Sequence, residues 1–152
     1  MNRYLLDINV LIDFLIDDDF SSVRSASSEA KEQVLATKRE LFELLKDDQN
    51  VCVIVSSSLV TLFFALTNKQ KHLRSKASKL LLDLYRDSDI WQIVADDHKS
   101  IKEALEFCEQ NGADFEDVLL YFCAKNNDCR AIITNDKNFP QIDIPLIRTH
   151  KR

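Results

Sequence analysis

Five short runs rich in valine, isoleucine and leucine punctuate the chain: Leu5 to Asp7, Val51 to Val55, Trp91 to Val94, Ala131 to Thr134 and Leu146 to Ile147. Near-continuous aliphatic strands of this kind are those buried on both faces, as in a parallel sheet covered by helices. Segments with helical period separate them. In Ser28 to Lys46, Val34, Leu35, Leu41, Leu44 and Leu45 fall roughly on one side and the Lys, Arg and Glu residues on the other. Val60 to Leu66 reads as an apolar, mostly buried helix, and Lys76 to Tyr85 as an amphipathic one with Ala77, Leu80, Leu81 and Leu84 inward. Ile101 to Cys108 and Phe115 to Ala124 are two more. Strands alternating with helices need right-handed crossovers, so the expected class is α/β: a three-layer α/β/α fold around a mainly parallel sheet of four to five strands. Asp17 to Ser28, with a run of three aspartates and five serines, reads as a solvated loop that caps the helix after it.

The 152 residues, 45% of them apolar, suffice for one core, and no repeat or linker divides them, so residues 1–152 are expected to form one domain. Gly112 is the one glycine, which excludes the glycine-rich phosphate cradles of Rossmann and P-loop proteins. Cys52, Cys108, Cys123 and Cys129 form no CxxC pair, which argues against a zinc ribbon or a disulfide framework and for a reducing compartment. An acid interrupts the amino-terminal apolar residues where a signal peptide would continue, and no uncharged apolar run reaches the ~18 residues of a membrane span. The expected location is the cytoplasm, with no membrane partner. His72, His98 and His150 make no HExxH motif, and Ser56 to Ser58 lack the glycines of a hydrolase elbow. Trp91, Phe63 and Phe64 suit core packing better than base stacking.

Three acidic segments stand out. Asp7 and Asn9 fall where the first strand ends, at the edge of an open α/β sheet where ligands sit, although both residue types also cap helices. Asp114, Glu116 and Asp117 open a late helix; Asp114 suits an N-cap and Asp117 a capping-box position. Three carboxylates within four residues also repel one another, by about 4 kcal/mol for a pair ~4 Å apart at an effective dielectric near 20, and a cation would relieve that cost. Asp136 follows the Ala131 to Thr134 run in a stretch, Asn135 to Asn138, that equally suits a plain turn. The three segments are expected to open on one edge of the sheet, where hard oxygen ligands suit Mg²⁺ or Mn²⁺.

The net charge of −5 disfavours nucleic-acid binding unless charge is segregated, and it is. Val51 to Leu82 contains no Asp or Glu but holds Lys69, Lys71, His72, Arg74, Lys76 and Lys79. These form either a solvated cationic helix start or a rim that contacts a phosphate backbone. Arg148, His150, Lys151 and Arg152 extend that rim or form a loose tail.

In order and spacing, D-I-N-V-L-I-D from Asp7, D-F-E-D-V-L-L-Y from Asp114 and I-I-T-N-D-K-N-F from Ile132 resemble the motifs of the PIN domain, in particular the small bacterial proteins related to VapC toxins and their DFED-type branch. The resemblance runs from Leu5 to about Arg148. It implies a metal-dependent endoribonuclease using Mg²⁺ or Mn²⁺, RNA as substrate, a cognate antitoxin as partner and a homodimer. Position by position, it makes Asp7, Asp117 and Asp136 catalytic residues and, with Asp114, metal ligands. It makes Asn9 the companion polar residue of Asp7. Thr134, beside Asp136, is expected as a further supporting residue, and Lys69, Lys71, Arg74 and Lys76 of the basic cluster as the RNA contacts. Relatives commonly carry a glutamate in the helix after the second strand, where this chain has Thr61. That departure keeps a catalytically impaired module that binds RNA or protein as the alternative, and the residues alone do not separate RNA from DNA.

Overall fold

A computed structural model describes residues 1–150; Lys151 and Arg152, assigned above to a basic tail, lie outside the described residues. Five strands, β1 (Asn2–Leu6), β2 (Asn50–Val55), β3 (Trp91–Val94), β4 (Ala131–Ile133) and β5 (Leu146–Ile147), form one sheet in the order β3-β2-β1-β4-β5. Every pairing is parallel. The central register sets Tyr4 beside both Cys52 and Ala131, so β1 is flanked by β2 and β4. From β1 the chain builds outward to β3 on one side and then to β5 on the other. This reversal makes the β1–β4 boundary the topological switch point, where a crevice opens at the strands' carboxyl ends.

Among the described residues six α-helices cover the sheet: α1 (Ile8–Leu15), α2 (Ser28–Leu45), α3 (Ser56–Thr67), α4 (Arg74–Arg86), α5 (His98–Asn111) and α6 (Phe115–Asn126). The two-residue period of the strands divides the core. Tyr4, Leu6, Cys52, Ile54, Ala131 and Ile133 face α1 to α4, packing with Leu11, Leu41, Leu62 and Leu84. Leu5, Val53, Val55 and Ile132 face α5 and α6, packing with Ala104, Val118, Leu120 and Ala124. The expected three layers and five parallel strands are therefore present. Gly112 ends α5 in the left-handed region, at φ 63°, where a side chain would be strained. No helix among the described residues is long and apolar enough to cross a membrane.

Several expectations need correction. Helix α1 has no counterpart in the sequence reading, because Val10, Leu11, Ile12 and Asp13 are all buried and leave no polar stripe to mark the period. Asp17 to Ser28 is more than a solvated loop: Asp18–Val23 is a 3-10 helix that drives Phe20 into the core at 2% exposure, while Ser27 caps α2 as expected. Helix α3 begins at Ser56 and is not buried all round, since Val60 is 73% and Phe64 64% exposed. Phe63 packs against the core as expected, but Phe64, on the opposite side of an evenly apolar helix, does not. In α2, Leu35 likewise stands out at 65% exposure.

Candidate active site

The carboxylates assemble at the switch point. Asp7 follows β1, and its backbone N–H donates to the Ile133 carbonyl of β4 at 3.0 Å, so the sheet ladder holds it. It is also the N-cap of α1: Oδ1 accepts the Ile8 N–H at 2.7 Å. Its Oδ2 accepts from the Thr134 hydroxyl at 2.8 Å, and Thr134 is fully buried. The same Thr134 oxygen accepts the Asp136 N–H at 3.1 Å, so one hydroxyl ties the first acid to the loop of the last. That loop closes on itself through Asp136 Oδ1, which accepts the Asn138 N–H at 2.9 Å. Arg148 Nη1 braces it by donating to the carbonyls of Asp136 at 2.8 Å and Thr134 at 3.3 Å. Across the crevice Asp114 caps α6, accepting the Asp117 N–H at 3.2 Å. The capping and turn roles weighed for Asp7, Asp114 and Asp136 are thus real, and these roles aim the same residues into one cleft.

Asp7, Asp114, Glu116, Asp117 and Asp136 line this cleft, of about 410 Å³, together with Asn9, Ser57, Ser58, Thr61 and the apolar Ile8, Leu119 and Leu120. Among the described residues, no lysine, arginine or histidine lines it. The acids therefore meet each other's charge. Burial pushes the Asp7 carboxyl above its usual range, with Asp136 and Glu116 adding to the rise, although the donors Thr134 and Ile8 pull the other way. Asp117 is pushed up to about 7, first by burial and then by Asp7, Asp114, Asp136 and Glu116. Such crowding without a countercharge is the condition a cation relieves.

The donor set is all oxygen, which fits a hard divalent ion. Among the described residues no three acidic, histidine or cysteine side chains converge closely enough to enclose an ion outright. The site is an open ring, compatible with an ion such as Mg²⁺ that keeps several waters and takes one or two carboxylates directly.

Sequence reasoning did not place Ser57 and Ser58 here, and it counted Glu116 among the acids that open the late helix without singling it out as a site residue. Glu116 shares the first turn of α6 with Asp117, and the serines begin α3 where β2 ends, so the rule that placed Asp7 could have found them. Thr61 lines the cleft as an exposed residue whose hydroxyl donates to the Ser57 carbonyl at 3.3 Å.

The basic cluster divides. Lys69 lines a second groove that shares Ile8, Asn9 and Thr61 with the acidic cleft. Lys71 lies in a short 3-10 turn, Lys71–Leu73, and Arg74 begins α4; both are exposed and line neither hollow. Lys76 is engaged with Asp19 at 2.7 Å.

A profile of the PIN domain matches residues 4–145. Among curated proteins, "Ribonuclease VapC1" of Aquifex aeolicus (strain VF5) is 28% identical over 151 residues, which cover 98% of this chain and 92% of that protein. Among solved structures, VapBC2 from Rickettsia felis, bound to a DNA fragment from its promoter, aligns with a TM-score of 0.62 at 19% identity, covering 96% of this chain and 98% of that one. A toxin-antitoxin complex from Klebsiella pneumoniae aligns with a TM-score of 0.61 at 15% identity, covering 98% and 99%. VapC20 of Mycobacterium tuberculosis, described as a Sarcin-Ricin loop cleaving toxin, aligns with a TM-score of 0.61 at 12% identity, covering 90% and 92%. With nearly its whole length matched, the chain belongs to the PIN-domain family.

Proposed function

We propose that the chain is a metal-dependent endoribonuclease, the toxin member of a toxin-antitoxin pair acting in the cytoplasm. The observation that carries this reading is the cleft at the β1–β4 switch point, lined by five carboxylates and by no basic side chain among the described residues. The similarity to a ribonuclease along nearly the full chain supports RNA as substrate, and the neighbouring toxin-antitoxin structures support an antitoxin partner.

Asp7, Asp117 and Asp136 are the residues that would hold Mg²⁺ or Mn²⁺, one or two of them directly and the rest through the ion's waters, with Asp114 beside them. When bound, the ion supplies charge neutralisation at the phosphoryl oxygens and water acidic enough to ionise near neutrality. The chain's own contribution is orientation. Thr134 and the Ile8 N–H hold the two Asp7 oxygens in fixed directions. Asp117 lies across the crevice on the first turn of α6, so that α6 and the end of β1 each present a carboxylate to the same cleft. Lys69, with Lys71 and Arg74 farther out, offers phosphate contacts along the approach. Self-association into a homodimer is supported by the apolar area that Val60 and Phe64 expose on α3.

Purified protein should cleave single-stranded RNA with Mn²⁺ or Mg²⁺, stop in excess chelator, and lose cleavage on Asp117→Asn with the fold intact. Cleavage that persists in chelator would refute the mechanism. A second reading rests on Thr61 and on the open ring of carboxylates: the site could bind RNA or protein without turnover. It is distinguished by wild-type protein that binds RNA yet never cleaves it, and by Thr61→Glu creating cleavage.

A further inference from the structure

Asp13 is fully buried and far from idle. Its Oδ1 accepts from Arg24 Nε at 2.6 Å, and its Oδ2 from Gln33 Nε2 at 3.0 Å. Arg24 then reaches the cleft: its Nη2 donates to the Asn9 carbonyl at 2.9 Å and to Asn9 Oδ1 at 3.3 Å. Asn9 is exposed and lines both the acidic cleft and the adjoining groove, whose other lining residues include Arg24 on one element and Lys69 on another.

A guanidinium is a rigid planar fork, so seating Nε on a buried carboxylate determines where Nη2 lies. An amide oxygen that already accepts from a cation is a poor partner for a second, doubly charged one. What the Asn9 amide keeps for a ligand is its NH₂ group, which donates and cannot ligate a metal. The ligand chemistry that matches a donor between a carboxylate ring and two flanking cations is a phosphodiester oxygen.

Resting on the ribonuclease reading, we propose that Arg24, anchored by Asp13, orients the Asn9 amide to donate to a phosphate oxygen of the RNA strand. Asn9 is then a substrate contact and not a metal ligand, and Arg24 and Asp13 are positioning residues. The strand leaves the acidic cleft along the groove between Arg24 and Lys69.

The test combines steady-state cleavage of a short single-stranded RNA with Mn²⁺ calorimetry in the absence of RNA. Asn9→Ala and Arg24→Ala are each expected to lower kcat/KM by about tenfold or more, mainly through KM, the range of a hydrogen bond to a charged group. Mn²⁺ affinity should stay within about threefold of wild type, and the double variant should be no worse than the weaker single one, because both remove the same contact. Arg24→Lys should not rescue, since it keeps the charge without the fork. Asn9→Ala removes no buried charge and carries the test should Arg24→Ala fail to fold. The assignment is overturned if Asn9→Ala weakens Mn²⁺ by tenfold or more, if Asn9→Asp binds Mn²⁺ more tightly while retaining cleavage, or if the two losses add. A wild-type protein that cleaves no RNA overturns the ribonuclease reading and this assignment with it, whereas an active wild type with an unaffected Asn9→Ala overturns the assignment alone.

Discussion

Replacing Asp117 with asparagine should stabilise the cation-free protein at pH 8, although it removes a group that the proposed mechanism requires. Asp117 is partly buried among Asp7, Asp114, Asp136 and Glu116, and its carboxyl is pushed from 3.8 up to about 7. A folded-state value above the unfolded one means that between about pH 4 and 7 the folded protein keeps a proton the unfolded chain has lost. Stability therefore falls as pH rises through that window, and the full penalty is present above it. A rise from 3.8 to about 7 corresponds to about 4 kcal/mol, and screening of a side chain that water partly reaches brings this to about 1–2 kcal/mol. Urea denaturation in chelator should show Asp117→Asn more stable than wild type by about that amount at pH 8, with the gain vanishing near pH 4. For a chain of this length the matching rise in Tm is about 2–8 °C. Mn²⁺ should reverse the order, because the ion stabilises the wild type by mass action and the variant less. Asp117→Asn that is neutral or destabilising at pH 8 in chelator would refute the claim that these carboxylates repel one another in the folded state.

Thr134→Val keeps the shape of a fully buried side chain but deletes the donor to Asp7 Oδ2 and the acceptor of the Asp136 N–H; a loss of about 1–3 kcal/mol in urea denaturation is expected. Lys69→Ala, in the groove beside the cleft, should weaken RNA binding and flatten its logarithmic salt dependence by about one contact, while Lys76→Ala, which loses an exposed pair with Asp19, should leave both unchanged. Phe20→Ala should cost about 3–5 kcal/mol of stability by opening a cavity under the 3-10 helix that carries the chain to Arg24, and a change below about 1 kcal/mol would place that segment outside the cooperative core.

Strand β2 was legible because burial on both faces leaves no polar alternation in Val51 to Val55, whereas Trp91 to Val94, at the sheet edge with Trp91 alone buried, was marked by its apolar residues around Gln92. Amphipathic helices were equally plain, as in α4, where Ala77 and Leu84 are buried. Continuously apolar stretches were harder to read. In α1 a continuous apolar stretch hides the helical period, and in α3 an evenly apolar surface conceals that Val60 and Phe64 face outward. Phe20 was masked by the aspartates and serines around it, since composition over a short window averages away one anchoring side chain.

The acidic residues could be gathered from sequence because each follows a strand or opens a helix, and parallel topology sends those ends to one edge. The Asp13–Arg24–Asn9 network could not, because it depends on a turn that brings residues 11 and 15 positions apart into contact. The relation of Lys76 to Asp19, 57 positions away, is equally beyond local pattern. Such pairs are consequences of the fold and not of any segment within it.

Whether the carboxylates at the β1–β4 switch point bind a divalent ion in order to cleave RNA is decided by Mn²⁺ calorimetry on wild type and Asp7→Asn, with RNA cleavage followed under the same conditions. Binding and cleavage are expected in the wild type, and the loss of both in the variant. Wild-type cleavage that Asp7→Asn leaves intact, or an absence of both binding and cleavage even with RNA present, would contradict a carboxylate-held ion as the basis of activity.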